Sequence, residues 1–183
     1  MLDFRELDLA DVLVITPKRF SDQRGFFSET YNKNAFEKIG IKSIFVQDNH
    51  SLSLEAGTIR GLHFQVAPKA QDKLVRVVRG AIFDVAVDIR KSSPTFGKWI
   101  ASLLTAERGE QMFVPAGFAH GFCTLEPCTE VVYKVSEFYA PEHEFGICWD
   151  DPEIGIRWPE GTNPVLSDKD RKNSRLRESP CMP

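Results

Sequence analysis

Short segments of strand character dominate this chain, and they limit its possible folds more than any other feature. Asp11–Ile15, Ile44–Gln47, Thr58–Gln65, Leu74–Val78, Ala81–Ile89, Trp99–Leu104, Gln111–Val114, His120–Leu125 and Glu130–Val135 are rich in β-branched and aromatic residues. Gly, Pro, Asn or Ser clusters separate many of them, as turns between strands require. Strands at such short intervals form a sandwich or a small barrel. The 14 Phe, against 3 Trp and 3 Tyr, supply apolar bulk for the space between facing sheets. In Ala81–Ile89 the alternation is legible: Phe83, Val85, Val87 and Ile89 share one face, and Asp84, Ala86 and Asp88 the other. If the first set packs between sheets, Asp84 points to solvent or into a polar cavity.

Two helices are expected. One spans Asn32–Ile39 and stops at Gly40, a residue suited to a left-handed cap. The other starts at Ser167, where S-D-K-D reads as a capping box with Asp170 at the third helical position. At 183 residues, with no internal repeat and no linker, residues 1–183 read as one domain with its own core. The polar stretch 171–183 reads as a loosely packed tail.

Charge narrows the function classes. Lys and Arg number 23 against 26 Asp and Glu, a net charge of −3, which argues against a protein that lives on nucleic-acid phosphates. The longest uncharged stretch, Gln111–Leu125, is broken by Pro115, Gly117 and Gly121 and is too short for a membrane span. The start, M-L-D-F-R-E-L-D, shows neither the basic head nor the apolar run of a secretory signal. Cys123, Cys128, Cys148 and Cys181 form no Cys-x-x-Cys pair or zinc pattern, so reduced thiols in a cytoplasm are expected.

Local sequence leaves the chemistry open. His63, in T-I-R-G-L-H-F-Q, shares a strand face with Ile59, Gly61 and Gln65; a strand histidine is commonly a core or surface residue. His120 follows a Pro-Gly turn, whereas His50 and His143 lie in polar connecting segments. Tyr133 reads first as a strand aromatic, and Asp170 equally well as a capping carboxylate. Arg24, Arg60 and Lys73 are either solvated scatter or a pocket for an anion: Arg for bidentate phosphate recognition, Lys as a point charge. No Walker or Rossmann glycine pattern appears, so any phosphate would be held by side chains.

Two spacings carry more information. Gly57 with His63, and Gly109, Pro115, Gly117 and His120, resemble the two sequence motifs of the cupin jelly rolls. Metal-binding cupins place a second His and a Glu after the first His. Here Gln65 and the run Pro68–Gln71 stand in those slots, too few donors for a divalent ion, so no metal or cofactor is expected.

F-S-D-Q-R-G-F-F-S-E-T-Y, F-V-Q-D-N-H-S, R-G-L-H-F-Q, F-D-V-A-V-D-I-R-K-S-S-P-T-F-G, V-P-A-G-F-A-H-G-F, Y-A-P-E-H-E, W-D-D-P and L-S-D-K-D together resemble the dTDP-4-dehydrorhamnose 3,5-epimerase family, nearly end to end. The resemblance implies a mainly β cupin jelly roll, a homodimer, and a thymidine-diphosphate 4-keto-6-deoxy sugar as substrate. It implies His63 as general base with Asp170 orienting it, Tyr133 as the acid on the opposite face, and Lys73 on the enolate oxygen. It places Arg24, Phe27, Glu29, Gln47, Asp48, Asn49, Arg60, His120, Glu144 and Lys169 at substrate-contacting positions, and Tyr139 on the thymine ring. Asp150, Phe145 and Cys148 depart from residues common in relatives, and none is among the implied acid, base or enolate contacts. Within the same fold, an enzyme inverting one carbon, a metal-dependent cupin and a non-catalytic sugar-nucleotide binder are the competing readings.

Overall fold

The computed structural model describes residues 2–9 and 11–180. In chain order its strands are β1 (Asp3–Glu6), β2 (Leu13–Thr16), β3 (Arg19–Asp22), β4 (Gly25–Ser28), β5 (Gln47–Ser53), β6 (Ile59–Gln65), β7 (Lys73–Arg79), β8 (Ala81–Asp88), β9 (Trp99–Thr105), β10 (Gln111–Val114), β11 (Phe118–Thr124), β12 (Thr129–Val135) and β13 (Glu144–Gly146). A six-stranded sheet, ordered β1-β2-β10-β7-β12-β5, faces a five-stranded sheet, ordered β13-β6-β11-β8-β9; β3 and β4 form a separate hairpin. All the strand pairs within these sheets are antiparallel. This is the sandwich that the strand spacing anticipates, in the jelly-roll form that the resemblance implies.

Three apolar clusters hold the sheets. Val75, Val77, Ile82, Ala86, Met112, Phe122 and Val131 fill the space between them. Leu62, Phe64, Val85, Val87, Ile89 and Ala119 form the outer side of the five-stranded sheet, beneath Ile147, Ile154 and Leu176. Leu13, Ile15, Leu74 and Phe113 carry Phe36 and Ile41 on the outer side of the other sheet. The set Phe83, Val85, Val87 and Ile89 is thus a real face, but it lies under the C-terminal segment rather than between the sheets. Asp84 consequently points into the barrel, where it is fully buried.

Helix α1 (Lys33–Glu37) lies where expected: Asn32 caps it by accepting from the Ala35 amide, and Gly40 follows at φ +91°. Other expectations need correcting. The strand placed at Ile44–Gln47 begins only at Gln47 and runs through His50, which is a strand residue bound to Glu130 at 2.9 Å. No helix starts at Ser167. Its hydroxyl accepts from the Asp170 amide at 3.0 Å, as in a capping box, but only a 3-10 turn at Asp170–Lys172 follows. The box fails because the Asp170 carboxylate turns away to His63. Nor is 171–180 loose: Ser174 bridges to Ile147, Leu176 is buried, and its amide donates to Asp151 Oδ2 at 2.7 Å. A single leucine fitting the outer cluster anchors that polar stretch, while Cys181 lies outside the described residues. Among the described residues, no helix is long and apolar enough to cross a membrane.

Candidate active site

Between the two sheets, at one end of the barrel, apolar filling gives way to a cavity of about 450 Å³ lined mainly by polar side chains. Strand alternation explains its lining. On β5, Gln47, Asn49 and Ser51 line it while Asp48, His50 and Leu52 face outward. Lys73 follows the inward parity of Val75 and Val77 on β7, and Tyr133 that of Val131 on β12. On the opposite sheet, His63 of β6 and His120 of β11 are direct register partners. Two glycines let these strands approach. Gly61 has φ +127°, and a Cβ there would stand 2.6 Å from Gly121 Cα.

Each histidine rests on a buried carboxylate. His63 Nε2–H donates to Asp170 Oδ1 at 2.6 Å, and His120 Nε2–H donates to Asp84 Oδ1 at 2.7 Å. An ionised carboxylate only accepts, so His63 Nδ1 is left with its lone pair. Burial pushes the Asp170 carboxyl up, but the hydrogen bonds from His63, Ser167 and Gly61 outweigh this and hold it below its usual range.

Lys73 Nζ donates to the His63 carbonyl at 3.1 Å. Burial lowers its pKa to about 8, against the opposing pull of Glu144 and Asp84. The Tyr133 hydroxyl is pushed up by burial and by Glu144, with Arg60 and Lys169 pulling the other way. It therefore carries its proton at neutral pH. Glu144 gathers the mouth of the cavity: Tyr139 Oη–H donates to it at 2.7 Å, and Lys169 pairs with the same oxygen. Arg60 is braced by Ser53 Oγ at 3.1 Å and the Leu52 carbonyl at 2.9 Å.

Of the residues singled out in the sequence, His63, Lys73, Tyr133, Asp170, Gln47, Asn49, Arg60, His120, Tyr139, Glu144 and Lys169 line this one cavity. Four do not. Asp48 is turned outward by the strand alternation and pairs with Lys134 at 2.8 Å. Arg24 sits between β3 and β4, bound to Asp22 at 2.6 Å; Phe27 is on the same hairpin, 70% exposed, and Glu29 follows it. Within one chain, then, Arg24 does not join Arg60 and Lys73 in an anion pocket. Gln65, weighed as a lost metal ligand, instead ties loops: its amide donates to the Lys69 and Phe138 carbonyls and accepts from the Ala140 amide. Ser51, Gln71 and Ser167 also line the cavity, unsuspected from sequence; the alternating polar residues of β5 were the available signal.

The fold and this site define a cupin-type enzyme pocket, a carboxylate-backed imidazole facing a phenol across a cavity with a buried lysine. The comparisons with known proteins narrow the class. A sequence model of the family described as dTDP-4-dehydrorhamnose 3,5-epimerase matches residues 6–178. The dTDP-4-dehydrorhamnose 3,5-epimerase of Sinorhizobium fredii is 53% identical over 97% of this chain and 91% of its own length. The crystal structure of the Bacillus anthracis dTDP-4-dehydrorhamnose 3,5-epimerase, with TDP and PPi bound, superposes with a TM-score of 0.93 at 52% identity, covering 96% of this chain and 99% of that one. A dTDP-6-deoxy-D-glucose-3,5-epimerase from Legionella pneumophila, in complex with dTDP-4-keto-L-rhamnose, gives 0.93 at 42% identity over 97% and 94%. The chain belongs to the dTDP-4-dehydrorhamnose 3,5-epimerase family, and it is an enzyme.

Proposed function

We propose that this cavity inverts carbons 3 and 5 of dTDP-4-dehydro-6-deoxy-D-glucose, giving dTDP-4-dehydro-L-rhamnose through enolate intermediates. One observation carries the assignment of roles: a base held by a carboxylate and a protonated phenol line the same cavity from opposite sheets. Inversion beside a ketone removes a proton from one face of the sugar and returns one to the other. His63 Nδ1 takes the proton, and Asp170 fixes the tautomer and stabilises the imidazolium that forms. Tyr133 delivers a proton from the six-stranded sheet. General-base help supplies about 10²–10⁴ in rate, too little alone for a weak carbon acid. The Lys73 ammonium, in place before reaction, stabilises the charge collecting on the carbon-4 oxygen. Arg60 and Lys169 suit the diphosphate, and Tyr139, half-exposed at the mouth, suits the thymine ring.

The working unit is a homodimer. Phe20 and Phe27, register partners on one face of the β3–β4 hairpin, are 54% and 70% exposed, an apolar pair of the kind that marks an interface. Packed on a second copy, this hairpin carries Arg24, Phe27 and Glu29 towards the neighbouring cavity. The free thiols of Cys123, Cys128 and Cys148 suit a reducing cytoplasm. Incubation with the keto sugar nucleotide in heavy water tests the reaction. Deuterium should enter at carbons 3 and 5, and its absence at both would falsify the reading.

A further inference from the structure

Asp84 has no part in the mechanism above, yet its setting is unusual. It stands on β8 between Ile82 and Ala86, both in the apolar cluster between the sheets, and it is fully buried. A buried carboxylate is normally saturated with donors. Here Oδ1 accepts from His120 Nε2–H, while Oδ2 has no hydrogen-bond partner. Contrast the equally buried Asp88, whose oxygens accept from Arg90, Ser93 and Thr95 and so hold a turn together. Asp84 braces no turn; its one hydrogen bond goes to a side chain that lines the cavity.

The register places that side chain. Across β8 and β11, Asp84 pairs with Phe122 and Ala86 with His120, so Asp84 reaches His120 diagonally on the inner face. Across β11 and β6, His120 lies opposite His63. Asp84, His120 and His63 form a row, and the two imidazoles are built alike, each with Nε2 on a buried carboxylate. Chemistry then fixes the tautomer. With Nε2–H committed to Asp84, the nitrogen of neutral His120 left for the cavity is Nδ1, an acceptor.

We propose that Asp84 is a positioning residue that holds His120 with Nδ1 as a hydrogen-bond acceptor for a ring hydroxyl of the bound sugar. This rests on the epimerase reading for the identity of the ligand, though the tautomer itself does not. Facing side chains on neighbouring strands lie about 5 Å apart at Cβ, so the atom beside His120 is within a bond or two of the carbon that His63 deprotonates. A hydroxyl donating to His120 turns the ring so that one carbon–hydrogen bond points at His63. Lys73 and His120 then have complementary tasks: a donor for the ketone oxygen and an acceptor for a neighbouring hydroxyl.

The test uses the full chain with 15N-labelled histidine. Two-bond proton–nitrogen correlation spectra of the free protein should show neutral His120 as the Nε2–H tautomer, and Asp84→Asn should abolish that single tautomer while His63 keeps its signature. In heavy water, Asp84→Asn should slow deuterium entry at least 10-fold, and adding it to His120→Gln should cost nothing further, because it acts through that ring. An Nδ1–H or mixed tautomer in the wild-type protein overturns the proposal, even if Asp84→Asn does not fold. Exchange at the wild-type rate in folded Asp84→Asn overturns it too. If the wild-type protein exchanges no deuterium, the epimerase reading fails, whereas the spectra still decide the role of Asp84.

Discussion

His63 and Asp170 stand 107 positions apart in the chain, yet His63 Nε2 and Asp170 Oδ1 are 2.6 Å apart. The contact exists because Ser167 turns the backbone and the Asp170 carboxylate points back over β6 instead of capping a helix. His63→Ala should therefore abolish deuterium exchange while dTDP binding survives, as read by calorimetry. Asp170→Asn, which leaves the ring but loosens its tautomer, should lower exchange by roughly 10²-fold or more. Exchange at the wild-type rate in His63→Ala would place the base elsewhere.

Tyr133 and His63 act on opposite faces, so removing the phenol should separate two events. In Tyr133→Phe, deuterium should still enter at the activated carbon, because the intact base exchanges the proton it took for solvent deuterium and returns that to the same face. Inverted product should fall by roughly 10²-fold. Proton NMR of the sugar in heavy water reads both. Loss of exchange and inversion together would assign Tyr133 another role.

Lys73 sets an alkaline limit. Its pKa of about 8 means the ammonium disappears as pH rises through 8, so turnover should decline there. The stability effect has the opposite sense. The folded value lies below the ordinary 10.5, so the charged group costs stability fully below pH 8, and the cost fades between pH 8 and 10.5. Lys73→Met should thus be inactive yet more stable at pH 7, by about 1–3 kcal/mol in urea unfolding. That advantage should shrink towards pH 10.5. An equally active or less stable variant at pH 7 would contradict the burial argument.

Asp88 should govern acid stability. Burial pushes its carboxyl up, but Arg90, Ser93 and Thr95 outweigh this and bring it to about 2. Its contribution is fully present above the ordinary 3.8 and is lost as pH falls through 2. Asp88→Asn should cost about 2 kcal/mol at pH 7, and less as pH approaches 2. Thermal melts at several pH values measure both. A pH-independent deficit would mean the shape of the turn matters and its charge does not.

The β3–β4 hairpin predicts a change of assembly. Phe20→Ser with Phe27→Ser should convert a dimer into monomer by sedimentation and weaken nucleotide binding, since Arg24 and Glu29 would leave the neighbouring cavity. A monomeric wild-type protein would remove this explanation for the outlying position of Arg24.

The strand-rich character, the alternating faces of β8 and the Asn32-capped helix follow from local pattern, and most of the cavity residues from the family resemblance. Side-chain alternation has a period of two wherever a strand forms, so faces can be read without a fold. Where a strand lines a cavity the pattern misleads: β5 is polar on both faces, so Asn49 and His50 resemble a connecting loop. Sequence also could not show which face of β8 the core takes, because both faces are buried by different partners. Nor could local pattern give Asp170 its role, which only the family resemblance implied, since a capping carboxylate and a histidine's partner look alike until the chain folds. By itself, then, the sequence determined the jelly roll, the family and a roster of chemical groups. Tertiary structure alone decided that Asp84 faces His120 and that Arg24 lies outside its own chain's cavity, and it supplied the His63–Asp170 contact that the resemblance only implied. Those pairings depend on long-range strand register and loop closure, which bring together residues that carry no local record of one another.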